Sequence, residues 1–207
     1  DGVSSAASKY IIGGDTGPKA NVLMLRVDGY SVGTAMNLTP AHDVFVVDCN
    51  FHDLLGGSGN VGVFVAASAS YTSGCYNVAV LGSSIVDCFA IEHNIRIAGF
   101  KVVVSNNTLR QAGTGGKQIV TLRGIAGTPD STWSSVWAEK LIVSDNDFDG
   151  GSSGTGLAMQ FAPTNTSVDE RHRDAICERN WFHGDIGTPI GSEVCNRMTI
   201  RNNLFNT

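Results

Sequence analysis

The sequence predicts an all-β chain wound into a parallel β-helix of about six to seven coils, and three observations carry that prediction. One eight-residue pattern recurs six times along the 207 residues, charged residues are only 16% of the chain, and 25 glycines stand against 5 prolines. Soluble globular chains ordinarily carry about a quarter charged residues, and disordered chains are richer in charge and poorer in apolar residues than the 42% found here. Five lysines are too few for a helical bundle, whose surfaces are built from Lys, Glu, Ala and Leu.

The octet reads apolar, any, apolar, two of any kind, a small polar residue, any, and a large apolar residue. Its copies are Val44 to Phe51, Val78 to Ile85, Val102 to Leu109, Leu141 to Phe148, Ala175 to Phe182 and Met198 to Phe205. Apolar residues at i and i+2 share one face of a strand, so Val44 with Val46, Val102 with Val104, and Leu141 with Val143 are expected to point inward. The phase breaks at the sixth position, occupied by Cys49, Ser83, Asn107, Asn146, Asn180 and Asn203. Asn tolerates left-handed backbone angles, and its amide bonds backbone groups at bends, so a corner is expected there. The large residue after the corner (Phe51, Phe148, Phe182, Phe205) returns inward.

Stacked coils place equal positions about 4.8 Å apart, so Asn107, Asn146, Asn180 and Asn203 are expected to form a ladder of amides, continued by Ser83 and Cys49. Spacings of 23 and 24 residues between copies fit three short strands and three turns; spacings of 34 and 39 add inserted loops. Second strand-like runs follow the corners at Gly62 to Ala66, Phe89 to His93, Gln118 to Arg123 and Gly156 to Phe161. Asn21 to Val27 reads as a further strand, in a coil whose corner residue has degenerated. Residues 1–20 are read as a lead-in or cap, and residues 21–207 as the β-helix domain. Asp1 and Thr207 read as cut ends, so a piece of a longer solenoid is expected. A leucine-rich repeat lacks the Phe after Asn, a sandwich gives no repeated octet, and a propeller blade is longer.

The octet with its Asn-x-Phe or Asn-x-Leu corner (Asn107-Thr108-Leu109, Asn146-Asp147-Phe148, Asn180-Trp181-Phe182, Asn203-Leu204-Phe205) resembles the right-handed parallel β-helix superfamily over roughly residues 40–207. That superfamily includes pectate-lyase-like and alginate- or chondroitin-lyase-like proteins, polygalacturonases, uronate epimerases and phage tailspikes. The resemblance implies a right-handed coil, and for most enzymes of the superfamily an acidic polysaccharide as substrate. It identifies no single member. The chain has no acidic run followed by a Ser-Lys-Ser-like segment, and no Asn-Thr-Asp or Gly-His-Gly motif, so no catalytic residue carries over.

Uronate lyases neutralise a sugar carboxylate, remove the C5 proton and assist the leaving oxygen, which calls for Arg, Lys or Ca²⁺ and a base. Glycosidases instead need close carboxyl groups. Residues expected to face outward on the second strands are Glu92, Arg123, Gln160 and Glu193, a stripe suited to a glycan or to plain solvated strand faces. Arg123 joins Arg171, His172 and Arg173, in the densest charge run of the chain, as the catalytic candidates; a solvated loop is the other reading of that run. Trp133 and Trp137, in the long insertion Gly124 to Lys140, suit stacking on a sugar ring or tucking a loop down. Asp145, Asp147 and Asp149 are the candidate Ca²⁺ ligands, although the corner at Asn146 interrupts their alternation. His42, His52, His93 and His183 read as surface or turn residues.

Cys49, Cys75, Cys88, Cys177 and Cys195 form no CxxC pair, which argues against zinc, and they read as small buried hydrophobes, with at least one thiol left over by the odd count. A net charge of −5 argues against a nucleic-acid partner, and no apolar stretch approaches the roughly 20 residues of a membrane span. Outward apolar residues Phe45, Val47, Val103, Ile142 and Ile176 call for some covering element or partner on that face. Polysaccharide is the expected ligand, and a homo-oligomer or a continuation of the same solenoid the expected protein partner. Two functions fit. One is a carbohydrate-active β-helix that binds or cleaves an anionic, uronate-containing polysaccharide, a lyase or glycosidase where catalytic. The other is a non-catalytic extracellular solenoid of the adhesin, sheath, filament or tailspike kind. Both place the protein outside the cell or on its surface.

Overall fold

The computed structural model describes residues 10–13, 19–55, 60–66, 75–89, 92–112, 117–123, 138–151, 155–162, 172–193 and 195–207; these form twenty-one short strands and no helix. The first coil is β1 (Tyr10–Gly13), β2 (Lys19–Leu25) and β3 (Asp28–Tyr30), and the second β4 (Thr34–Leu38), β5 (Ala41–Val47) and β6 (Asn50–His52). The third is β7 (Val61–Ala66), β8 (Tyr76–Leu81) and β9 (Ser84–Phe89), and the fourth β10 (His93–Ala98), β11 (Phe100–Ser105) and β12 (Thr108–Ala112). The fifth is β13 (Gln118–Arg123), β14 (Ala138–Ser144) and β15 (Asp147–Asp149), and the sixth β16 (Thr155–Ala162), β17 (His172–Glu178) and β18 (Trp181–His183). The seventh is β19 (Ile186–Ser192), β20 (Cys195–Arg201) and β21 (Leu204–Asn206). Equivalent strands pair in parallel into three seven-stranded sheets, here A, B and C in the order the chain visits them. This is a three-sided parallel β-solenoid. The octet is a sheet B strand, its corner and the sheet C strand that follows.

Alternation sets the interior. Val44, Val46, Val102, Val104, Leu141 and Val143 point inward with essentially no exposure, and the register stacks them coil on coil. Large rings fill the sheet C corner: Phe148 and Phe182 stack at 4.7 Å between centroids, and Phe182 and Phe205 at 5.3 Å. In the first coil Gly29 takes the place of the ring, and the Ile11 side chain occupies the space its Cβ would need. Cys49, Cys75, Cys88 and Cys177 are buried and all five thiols are free.

The Asn ladder forms as the spacing predicts. Nδ2 of Asn107 donates to Oδ1 of Asn146 (2.9 Å), Asn146 to Asn180 (2.9 Å) and Asn180 to Asn203 (3.0 Å). Each Oδ1 also accepts the backbone N–H of the ladder residue one coil earlier, and Oγ of Ser83 accepts that of Cys49. Nδ2 of Asn107, Asn146 and Asn180 makes a second bond to a strand carbonyl, at Val80, Val104 and Val143, and Nδ2 of Asn203 donates to the Cys177 carbonyl. Buried polar groups so fully paired strengthen one register of stacking.

The bend itself lies one residue earlier than the sequence suggested. Left-handed angles belong to Arg26, Asp48, Gly82, Asn106, Asp145, Arg179 and Asn202, each preceding the ladder position. A ladder residue must keep its side chain inward, so its exposed neighbour takes the strained angle. At Gly82 a Cβ would also meet the Asp48 carboxylate. A second series, Asn21, Asp43, Asn77, Lys101, Lys140, Asp174 and Arg197, takes the same angle at the second or third residue of each sheet B strand.

Candidate functional site

Every corner from sheet B to sheet C is two residues long, so insertions do not enter there. The longer connections flank sheet A instead: residues 67–75, 124–137 and 163–171 follow its strands, and residues 53–60, 113–117 and 150–154 precede them. Sheet A is therefore the sheet flanked by longer connections at both ends of its strands, the usual place for binding residues on a rigid scaffold.

The outer face of sheet A is polar over the fourth to sixth coils. Register aligns Phe64, Arg96, Thr121 and Gln160 in one outward column, and Ala98, Arg123 and Ala162 in the next. A third column holds Val61, His93, Gln118 and Leu157. The Arg96 guanidinium lies over the Phe64 ring at 5.3 Å, and its Nη1 is 3.6 Å from the Glu92 carboxylate, which also pairs with Lys117. Nε2 of Gln160 donates to Oε1 of Glu193 at 3.0 Å. The charges on β10, β13 and the residues before them converge on a small area.

Polar atoms are left over in the same place. His93 Nε2, Arg96 Nε, Gln118 Oε1 and Thr121 Oγ1 are buried with no hydrogen-bond partner among the described residues. Native interiors hold few such atoms, and each calls for an explanation. Their concentration on two adjacent strands marks this patch as the candidate site.

His93 is at its centre. Nδ1 lies 3.3 Å from the Gln118 carbonyl, which has no hydrogen to give, so Nδ1 carries the proton. Burial pushes the imidazole down to about 4, with Arg96 and Arg123 adding to the effect and Glu92 opposing it. His93 is therefore neutral at pH 7, and Nε2 holds a free lone pair. Burial works to raise the Glu92 carboxyl, but Lys117, His93 and Arg96 outweigh it and hold it below the usual range.

A pH dependence follows. The unfolded imidazole takes up its proton near 6.5 and the folded one only near 4, so protonation favours the unfolded chain in that window. The contribution is intact above about pH 6.5 and falls by about 3 kcal/mol as pH drops through about 4. Urea unfolding at pH 7 and at pH 4.5 should show this loss, and His93→Gln should remove most of it. Equal slopes for the wild-type protein and the variant would refute the assignment.

Glu92 immediately precedes β10, Arg123 ends β13, Gln160 lies in β16 and Glu193 follows β19, all at sheet A but in different columns. Phe89 to His93 is not the second strand of its coil: Phe89 ends β9, and the strand is His93–Ala98, where Ile95 and Ile97 alternate inward around Arg96. For that reason His93, expected at the surface, is buried, and Arg96 and Thr121 join the patch. The Ile-Arg-Ile alternation was the available signal. Among the described residues His42, His52 and His183 are partly exposed, and each has an acidic neighbour.

Asp145, Asp147 and Asp149 lie at the corner and on sheet C, away from the patch. Arg179 bonds Asp145 through Nε (2.7 Å) and Nη2 (2.9 Å), His183 Nε2 is 2.6 Å from Asp147, and Asp149 accepts the Gly151 N–H at 2.8 Å. No group of three metal-ligating side chains occurs among the described residues. Arg173 lies in sheet B, aligned with Glu139 and Asn196. Trp133, Trp137, Arg171 and the His172 side chain lie outside the described residues. None of the described residues forms a helix long and apolar enough to cross a membrane. No protein-family model, curated protein or solved structure matches the chain.

Proposed function

We propose that the outer face of sheet A binds an anionic, uronate-containing polysaccharide, and that β-elimination is the reaction its groups suit. The observation that carries this reading is the convergence of Arg96, Arg123, Lys117 and a neutral His93 between the long connections. A flat parallel sheet accepts an extended polymer, and guanidinium forks match carboxylates. Arg96 and Arg123 take the sugar carboxylate and stabilise the charge that grows on it as the C5 proton leaves. The lone pair on His93 Nε2 is the base that accepts that proton, the C5–H electron pair becomes the C4=C5 double bond, and the C4–O pair leaves on the departing oxygen, which takes a proton from solvent. The solenoid turns in the right-handed sense, as nearly all parallel strand crossovers do. A polymer ligand of this kind places the protein outside the cell or at its surface.

A panel of uronate polymers tests the proposal, with and without Ca²⁺, by ultraviolet absorbance of unsaturated ends and by retardation in polymer-containing gels. Both signals on at least one polymer are expected. Retardation without absorbance would remove the elimination chemistry and keep the binding. Absence of both would leave the non-catalytic solenoid as the function, with its apolar sheet B face as the working surface.

A further inference from the structure

Sheet B has an apolar outer face over the first four coils. Leu23, Leu25 and Phe45 are 60%, 47% and 40% exposed, with Val47 and Leu81 partly buried beside them. Contiguous apolar patches of this kind mark interaction surfaces. Register puts Leu23, Phe45, Ala79 and Val103 in one outward column, and Leu25, Val47, Leu81 and Ser105 in the next. Ala79 is the small member of its column. Phe45, Val103 and Ile142 wall a depression above it, with Lys101 and Lys140 on the rim. A projecting ring and a socket therefore stand one coil apart on the same face.

We propose that this face is a dimer interface between two copies of the chain, in which Phe45 of each copy fills the socket over Ala79 of the other. A twofold axis along the strand direction, midway between the second and third coils, sets coil two of one copy on coil three of its partner. Coil one then meets coil four. Phe45 falls on Ala79, Val47 on Leu81 and Leu23 on Val103, and each contact occurs twice by symmetry. At the rims Asp43 meets Asn77, Asn21 meets Lys101 and Asp48 meets Gly82, so no like charges oppose. Two other alignments fail on charge. An axis near the middle of the solenoid sets Lys101 against Lys101 or Lys140, and parallel solenoids bring Asp43 up to Asp48; both juxtapositions disfavour the contact. The interface is small, at the low end for specific complexes, and it leaves the polar face of sheet A open. It stands independently of the polysaccharide reading.

Sedimentation equilibrium of the intact protein, from about 1 to 100 μM, tests the proposal in the micromolar range that a small interface supports. A reversible monomer–dimer equilibrium is expected. Phe45→Ala and Ala79→Phe should each weaken it at least about tenfold, as removal or blocking of a central anchor does. The double variant Phe45→Ala/Ala79→Phe exchanges ring and socket, and should restore dimerisation. Both side chains point outward, and thermal midpoints close to wild type confirm that the variants fold. A monomer at every concentration overturns the proposal, as does a dimer indifferent to the single variants or a double variant that fails to recover.

Discussion

Asn146→Leu is expected to destabilise the protein by about 3–5 kcal/mol, read from urea unfolding at neutral pH. Leucine keeps the branched shape of asparagine, removes its polarity and adds the bulk of two methyl groups to a closed site. Oδ1 of Asn146 accepts from both the backbone N–H and the Nδ2 of Asn107, and its own Nδ2 donates to Val104 O and Asn180 Oδ1. The substitution therefore leaves a buried N–H, a buried carbonyl and two neighbouring amides short of partners, and each such group costs about 1–3 kcal/mol. Asn146→Ser should cost less, because Ser83 already shows that a hydroxyl accepts the backbone N–H of the coil below. Asn203→Leu should also cost less, since Asn203 is only partly buried. Equal effects at positions 146 and 203 would show that local backbone preference, not the column, sets the stability.

Loss of both Arg96 and Arg123 should reduce polymer affinity by about a hundredfold or more, measured by gel retardation on whichever uronate polymer binds. A charge-assisted bond to a carboxylate contributes about 1.5–3 kcal/mol, so each single alanine variant should lose about tenfold or more. The two guanidiniums act on the same patch, since both bear on His93, so their effects will not simply add. Removing Arg96 also strips a cation from the Phe64 ring, and Arg96→Lys controls for that by keeping the charge without the fork. Raising the salt should weaken wild-type binding more than binding by the double variant. Unchanged affinity in the double variant would move the ligand away from sheet A.

Much of the architecture was legible because a solenoid repeats its local rules. The inward pairs such as Val102 and Val104, the ladder from Ser83 to Asn203 and the ring column from Phe148 to Phe205 each depend on position within an octet, and the octet is visible in the sequence. Errors arose where the pattern loosened. Phe89 to His93 imitates a strand, but Phe89 ends β9, His93 begins β10, and the alternation resumes at Ile95. The left-handed angle at the corner also belongs to a residue type the pattern leaves free: aspartate, glycine, asparagine or arginine.

The candidate site was less legible. Glu92, Arg123, Gln160 and Glu193 could be assigned to an outward face by alternation, since that needs only neighbours in sequence. That His93 and Gln118 meet across coils, and that Arg96 lies over Phe64, depends on which residue of one coil sits above which residue of another. Loop lengths between coils vary, so sequence spacing does not fix that register. The three aspartates show the same limit. Their spacing suits a cation, yet Arg179 and His183, one coil away, are the partners they have.

The parallel three-sided coil, its apolar interior and its amide ladder are written locally in the chain, because they follow from strand periodicity and from equal residues stacking on one another. Which sheet carries the polar patch, that His93 is buried and neutral, and that Phe45 stands beside a socket over Ala79 emerge only from the folded coils. Those properties come from contacts and burial between coils, and desolvation and packing act on neighbours in space rather than along the chain.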